Sequence, residues 1–149
     1  MNSASQNIKK FYLQYRKNKV LLNKWFATQI QYSTPKLALD RLRELTTHSD
    51  FNMFNPNNFH SIIGTFAKRN FHAFHQEDGC GYKEIADWIK KIDPENPQIA
   101  ANTTKAFMQI KFLPKTYRTK AKASLNALSN GDNLSKDTSE ILNKIEASL

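Results

Sequence analysis

The sequence predicts an all-α fold, with paired antiparallel helices stacked as an α-solenoid or superhelix of about eight helices. Three observations carry this expectation. Apolar residues recur at helical spacing along the whole chain, and no alternating strand pattern interrupts them. Asn-Pro, Thr-Pro and Gly-containing breaks divide the chain into segments of about 10–16 residues. The breaks are short, which favours consecutive helices as antiparallel hairpins. No exact internal repeat is present, so the array is expected to be degenerate rather than a regular repeat.

Each element has its own signal. Ile8, Phe11, Tyr12 and Tyr15 form the first stripe, and Val20, Leu21, Trp25 and Ile30 the second. Thr34-Pro35 reads as an N-cap followed by Pro at the first helical position, with Leu37, Leu42 and Leu45 along the face behind it. A loop runs from about Thr47 to Pro56, and Asn55-Pro56 starts the fourth helix, lined by Phe59, Ile62, Ile63 and Phe66. Asp78-Gly79-Cys80-Gly81 is a tight turn in which Gly supplies positive φ. Tyr82, Ile85, Ala86 and Ile89 make the next stripe. Asp93 to Pro97 breaks and restarts the chain before Ile99, Ala100, Thr103, Phe107 and Ile110. Leu113-Pro114 stops that helix. Tyr117, Ala121, Leu125 and Leu128 mark the seventh, closed by Asn130-Gly131 as a C-cap. Ser135 caps the eighth, with Asp137 near its positive end and Ile141, Leu142, Ile145 and Leu149 on its face.

Composition narrows the function classes. The 149 residues, 40% of them hydrophobic and ten of them Phe, suffice for one core, so residues 1–149 are expected to form a single helical domain. One Cys rules out an internal disulfide. The start carries no apolar signal-peptide core, and no run approaches the roughly 18 apolar residues of a membrane span. A reducing, cytoplasmic setting without a membrane partner is expected. The net charge is +9, unevenly placed. Residues 1–39 and 96–131 contain Lys and Arg but no acid, whereas the middle is close to neutral. Such stripes bind phosphates or acidic partners, or they simply face water, and charge alone is weak ground for nucleic-acid binding.

No catalytic apparatus is legible. His72, His75, Glu77, Asp78 and Cys80 lie within nine residues, but their spacing matches no standard zinc pattern. His75 and Asp78 are better read as residues that hydrogen-bond the turn and fix its shape. There is no phosphate-cradling Gly-rich loop and no His-Glu-x-x-His signature. Catalytic and metal residues are therefore assigned to none. Gln98 and Asn102 lie four apart in the helix after Pro97 and share a face, which makes them a candidate polar patch for peptide contact.

Several ordered motifs resemble the C-terminal domain of bacterial aminopeptidase N. They are LTTHSDFNMFNPN at 45–57, SIIGTFA at 61–67 followed by Asn70, AFHQEDGCGY at 73–82, and NPQIAA at 96–101. Lys24-Trp25-Phe26-Ala27 and Leu134-Ser135 fit as well. The family usually has AFHxEDGSGY, so Cys80 stands in place of Ser. The resemblance runs from the first helix to the C-terminus and looks like the distal part of that domain. It implies a noncatalytic module of a zinc aminopeptidase that shapes and closes the peptide chamber over a catalytic domain. That domain, with its HExxH zinc site, is the implied partner; it precedes this region in the family and is absent from these residues. This chain is expected to hold no cofactor and to be inactive alone. The resemblance makes Gln98 a peptide-contacting residue. Asn102 and His60 stand where the family has cavity Arg residues, so two permanent cations are lost. His60 would restore part of that charge at acidic pH. The rival readings are a stand-alone basic helical scaffold for an acidic protein or nucleic acid, and an inactive remnant of an aminopeptidase gene.

Overall fold

A computed structural model describes residues 2–131 and 133–149. The described residues are helical, without strands, as the periodicity predicts. The helices are α1 (Ser3–Tyr15), α2 (Lys19–Gln31), α3 (Pro35–Leu45), α4 (Pro56–Phe59), α5 (Thr65–Arg69), α6 (Phe71–Phe74), α7 (Cys80–Ile92), α8 (Pro97–Thr104), α9 (Lys115–Ser129) and α10 (Lys136–Ser148). A π-helical turn, His60–Gly64, joins α4 to α5, and a 3-10 stretch, Lys105–Phe112, prolongs α8. Eight long helical runs and the short α6 result. None of the described helices is long and apolar enough to cross a membrane.

The helices start where the capping residues stand. Asn2, Asn18, Asn55, Asn70, Asn96 and Ser135 each accept a hydrogen bond from a backbone N–H in the first turn of the helix that follows. Thr34 precedes α3 without a side-chain cap bond, so the Pro at the first position does that work. Gly79 has φ +81°, the left-handed conformation expected of the Asp-Gly turn. Gly131 does not: α9 ends on Asn130 at φ −81°, and the Gly131 N–H bonds the Leu128 carbonyl from an ordinary conformation.

Packing divides into two groups. In the first, α2 lies against α1, α3, α5 and the π turn. In the second, α7 packs on α8 and α9, and α10 on α8 and α9. Short α6 touches α3 and α5 on one side and α7 on the other. Phe26, Phe59, Phe66, Phe74, Tyr82 and Phe107 are the largest fully buried side chains and run through both groups as one core.

Two expected core positions fall outside it. Val20 is 66% exposed and Leu37 46% exposed, while Leu22, Phe26, Ala38 and Leu39 are buried instead. The reason is geometric. Helix α2 has neighbours on more than one side, so Trp25 faces Tyr12 of α1 while Leu22, Phe26 and Ile30, spaced by four, face the core. In α3 the buried set is Ala38, Leu39, Leu42 and Leu45, and Leu37 lies one residue, or about 100° of helix, before its first member.

Asp93, at the end of α7 and only 2% exposed, ties the second group together. Its carboxylate accepts from the Ser135 N–H at 2.7 Å, the Ser135 hydroxyl at 2.6 Å and the Thr138 hydroxyl at 2.5 Å. The cap of α10 is thereby fixed to the end of α7. Removing this acceptor leaves buried donors unmatched, which costs about 2–4 kcal/mol. Asp93→Ala is expected to lower the melting temperature by roughly 5–15 °C for a domain of this size, measured by calorimetry, while Asp93→Asn retains part of the loss.

Candidate functional site

His60, from the π turn, and Asn102, from the second turn of α8, lie 42 positions apart and meet in space. The Asn102 Nδ2 stands 3.4 Å from the His60 Nε2. The π turn sets the imidazole here. The Thr65 N–H reaches back to the His60 carbonyl, five residues away, so the helix is widened by one residue at this point. Gly64 makes room for the ring, since a Cβ there would stand 2.9 Å from the His60 Nδ1.

Lys68, on α5, completes the group. Its ammonium donates to the Asn102 Oδ1 at 3.2 Å. This fixes the orientation of the amide, because its oxygen faces the cation and its NH2 must face the imidazole. The His60 Nε2 then accepts, and the proton of the neutral ring sits on Nδ1. The pKa of His60 is lowered, first by burial and then by the Lys68 charge, which agrees with a neutral ring. The pKa of Lys68 is lowered as well, by burial and by Lys105.

These residues line an open cleft of about 510 Å³, together with Val20, Asn23, Lys24, Ala27, Asn57, Ser61, Thr65 and Arg69. Its wall carries three permanent cations, Lys24, Lys68 and Arg69, and no acid. Asn23 of the lining is braced by buried Asn58, whose Oδ1 accepts from the Asn52 N–H at 2.6 Å and whose Nδ2 donates to the Asn23 Oδ1 at 2.8 Å. Gln98 lines a neighbouring cleft of about 340 Å³ with Ala101, Lys105, Asp137, Glu140 and Ile141. Asn102 borders both clefts, so Gln98 and Asn102 do share a face.

The sequence reading thus names His60 and Asn102, which the fold brings together, and Gln98, which stands one cleft away. It misses Lys68 and Arg69. The available signal was a pair of adjacent cations in an otherwise near-neutral stretch, two helical turns after His60. The geometry also shifts the source of charge. A half-buried imidazole beside an ammonium resists protonation, so at neutral pH the cation next to Asn102 is Lys68.

The His75 motif is built as a turn. The Asp78 carboxylate accepts from the Cys80 N–H at 2.9 Å, which lowers its pKa. The His75 Nδ1 lies 2.8 Å from the Tyr82 hydroxyl inside the core. Burial raises the Tyr82 pKa, so the phenol keeps the proton it donates to the imidazole. Burial and Asp78 push the Cys80 thiol up to about 11, which leaves it a poor nucleophile at neutral pH. Among the described residues no three His, Cys, Asp or Glu side chains are grouped to hold a metal ion.

Two outcomes follow for the histidines. Burial lowers the His75 pKa to about 4, against about 6.5 in an unfolded chain. The unfolded state therefore binds the extra proton between these values, and stability present above pH 6.5 is lost as pH falls toward 4. Urea melts are expected to lose up to about 3 kcal/mol across that window, and His75→Gln should flatten the slope. For His60, an NMR titration is expected to give a midpoint below that of a free imidazole, and Lys68→Met should raise it only part of the way because burial is the larger cause.

The model of a domain of unknown function (DUF3458_C) with ARM repeats matches residues 1–147. Aminopeptidase N of Escherichia coli (strain K12) is 34% identical over 130 residues, which are 87% of this chain and 15% of that protein. Aminopeptidase N of Caulobacter vibrioides is 34% identical over 137 residues, 92% of this chain and 16% of that protein. The crystal structure of Legionella pneumophila aminopeptidase A in complex with aspartic acid superposes with a TM-score of 0.88 at 28% identity, over 98% of this chain and 17% of that one. The chain therefore spans at most 17% of any of these proteins. It belongs to the DUF3458_C ARM-repeat family and resembles the C-terminal helical domain of aminopeptidase N.

Proposed function

We propose that this chain acts as one noncatalytic helical module of a zinc aminopeptidase, forming part of the wall that closes the peptide chamber. Zinc and the hydrolytic chemistry belong to a catalytic domain that would pack against it, and this chain's own residues would bind and orient the peptide. The single unpaired Cys80 fits a reducing, cytoplasmic place of action. The observation that carries the reading is the cleft in which His60 and Asn102 meet, on a chain superposing over nearly its whole length on part of an aminopeptidase. An open, polar-lined cleft of this size accommodates a stretch of extended peptide. Gln98, in the adjoining cleft, would extend that contact surface.

The test belongs in the longer protein that carries this domain together with its catalytic domain. Gln98→Ala, Asn102→Ala and His60→Ala are each expected to raise KM for a tetrapeptide about three- to tenfold, with kcat changed less than about twofold. The effect on a single-residue anilide should be smaller, since that substrate does not reach the wall. Unchanged tetrapeptide KM in all three variants would remove the chamber role.

A further inference from the structure

The cation-lined cleft carries more than the general role just proposed. Lys68 is the residue around which it is organised. One of its three ammonium protons goes to the Asn102 Oδ1, and the other two remain for a ligand. Among the described residues no carboxylate pairs with it. Arg69 and Lys24 share its cleft, and Lys105 stands close enough to act on its charge. The cations therefore repel one another with no anion between them. A bound anion would relieve that repulsion, and it would meet a cation already oriented by Asn102.

We infer that this cleft is a carboxylate-binding site in which Lys68, oriented by Asn102, is the anchoring cation for an acidic side chain or the C-terminal carboxylate of a peptide. Asn102 is a positioning residue here. It accepts from the ammonium and donates to the neutral His60, a two-way role that a donor-only Arg at position 102 could not fill. The peptide character of the ligand rests on the chamber reading, whereas the carboxylate preference rests on the cleft alone.

The experiment uses the 149-residue chain and three N-acetylated peptides. The first is tetra-alanine with a free C-terminal carboxylate, the second its C-terminal amide, and the third that amide with one Ala replaced by Asp. The Asn102 side-chain amide and the His60 ring are followed by NMR. A saturable shift is expected with the first or third peptide, at a Kd on the order of 1 mM, and none with the neutral amide. Which of the two shifts identifies the source of the carboxylate. Lys68→Met should weaken binding about tenfold or more, Lys68→Arg should retain it, and Lys83→Met, on the exposed face of α7, should leave it unchanged. Equal shifts with all three peptides, or no shift with any, would overturn the site, as would full binding by Lys68→Met. Carboxylate-selective binding lost in Lys68→Met, combined with unchanged KM in the longer enzyme, would keep the site and remove the chamber role. Raised KM without carboxylate selectivity would do the reverse.

Discussion

The arrangement of the molecule depends on a backbone approach at Gly81. A Cβ at this position would stand 2.4 Å from the Phe74 carbonyl oxygen and 2.7 Å from that of Ala73. No side chain other than hydrogen fits. The close approach seats the first turn of α7 on the last carbonyls of α6, where the positive end of one helix faces the negative end of another. Helix α6 is also the element that touches both packing groups. His60 and Lys68 come from one group and Asn102 from the other, so the cleft exists only because the groups meet at this distance.

Asparagine does much of the remaining positioning, because one side chain supplies both a donor and an acceptor. Buried Asn70 accepts from the Ala73 N–H and donates to the Ile30 and Ser33 carbonyls, joining the end of α2 to the start of α6. Asn58 does the same between the loop after α3 and Asn23 of α2. Asn102 repeats the pattern between two side chains. In each case a polar group inside or beside the core is matched on both sides, so rigidity is gained without a buried unpaired atom.

What was legible in the sequence follows from this chemistry. Helix starts were readable because Asn55-Pro56, Asn96-Pro97 and Ser135 act through local bonds to the next few residues. The core of α7 was readable because Tyr82, Ile85, Ala86 and Ile89 have one face to cover. Val20 and Leu37 were misplaced because periodicity gives a stripe's spacing but not its phase when a helix has several neighbours. The π turn at His60–Gly64 left no mark on the apolar pattern, since Ser61 to Gly64 are buried whichever ladder they follow. Of the site, Gln98 and Asn102 were readable from their spacing of four in one helix as well as from motif resemblance, and His60 from resemblance alone. Lys68 was not, because its partner lies 34 positions away and no local rule relates them.

Helix α1 differs in kind from the rest. It buries no residue fully. Tyr12 lies against Trp25 and His48 and donates to the Asp50 carboxylate at 2.6 Å, and the Trp25 indole donates to the Ile8 carbonyl at 2.9 Å. These contacts begin at Ile8 and involve part of one face. The free energy needed to detach α1 is therefore a small fraction of that needed to open α7 or α8, whose apolar faces are enclosed. Amide hydrogens would exchange in two tiers, with the first thirteen-residue helix fraying as its own cooperative unit while the fold that holds the cleft stays closed.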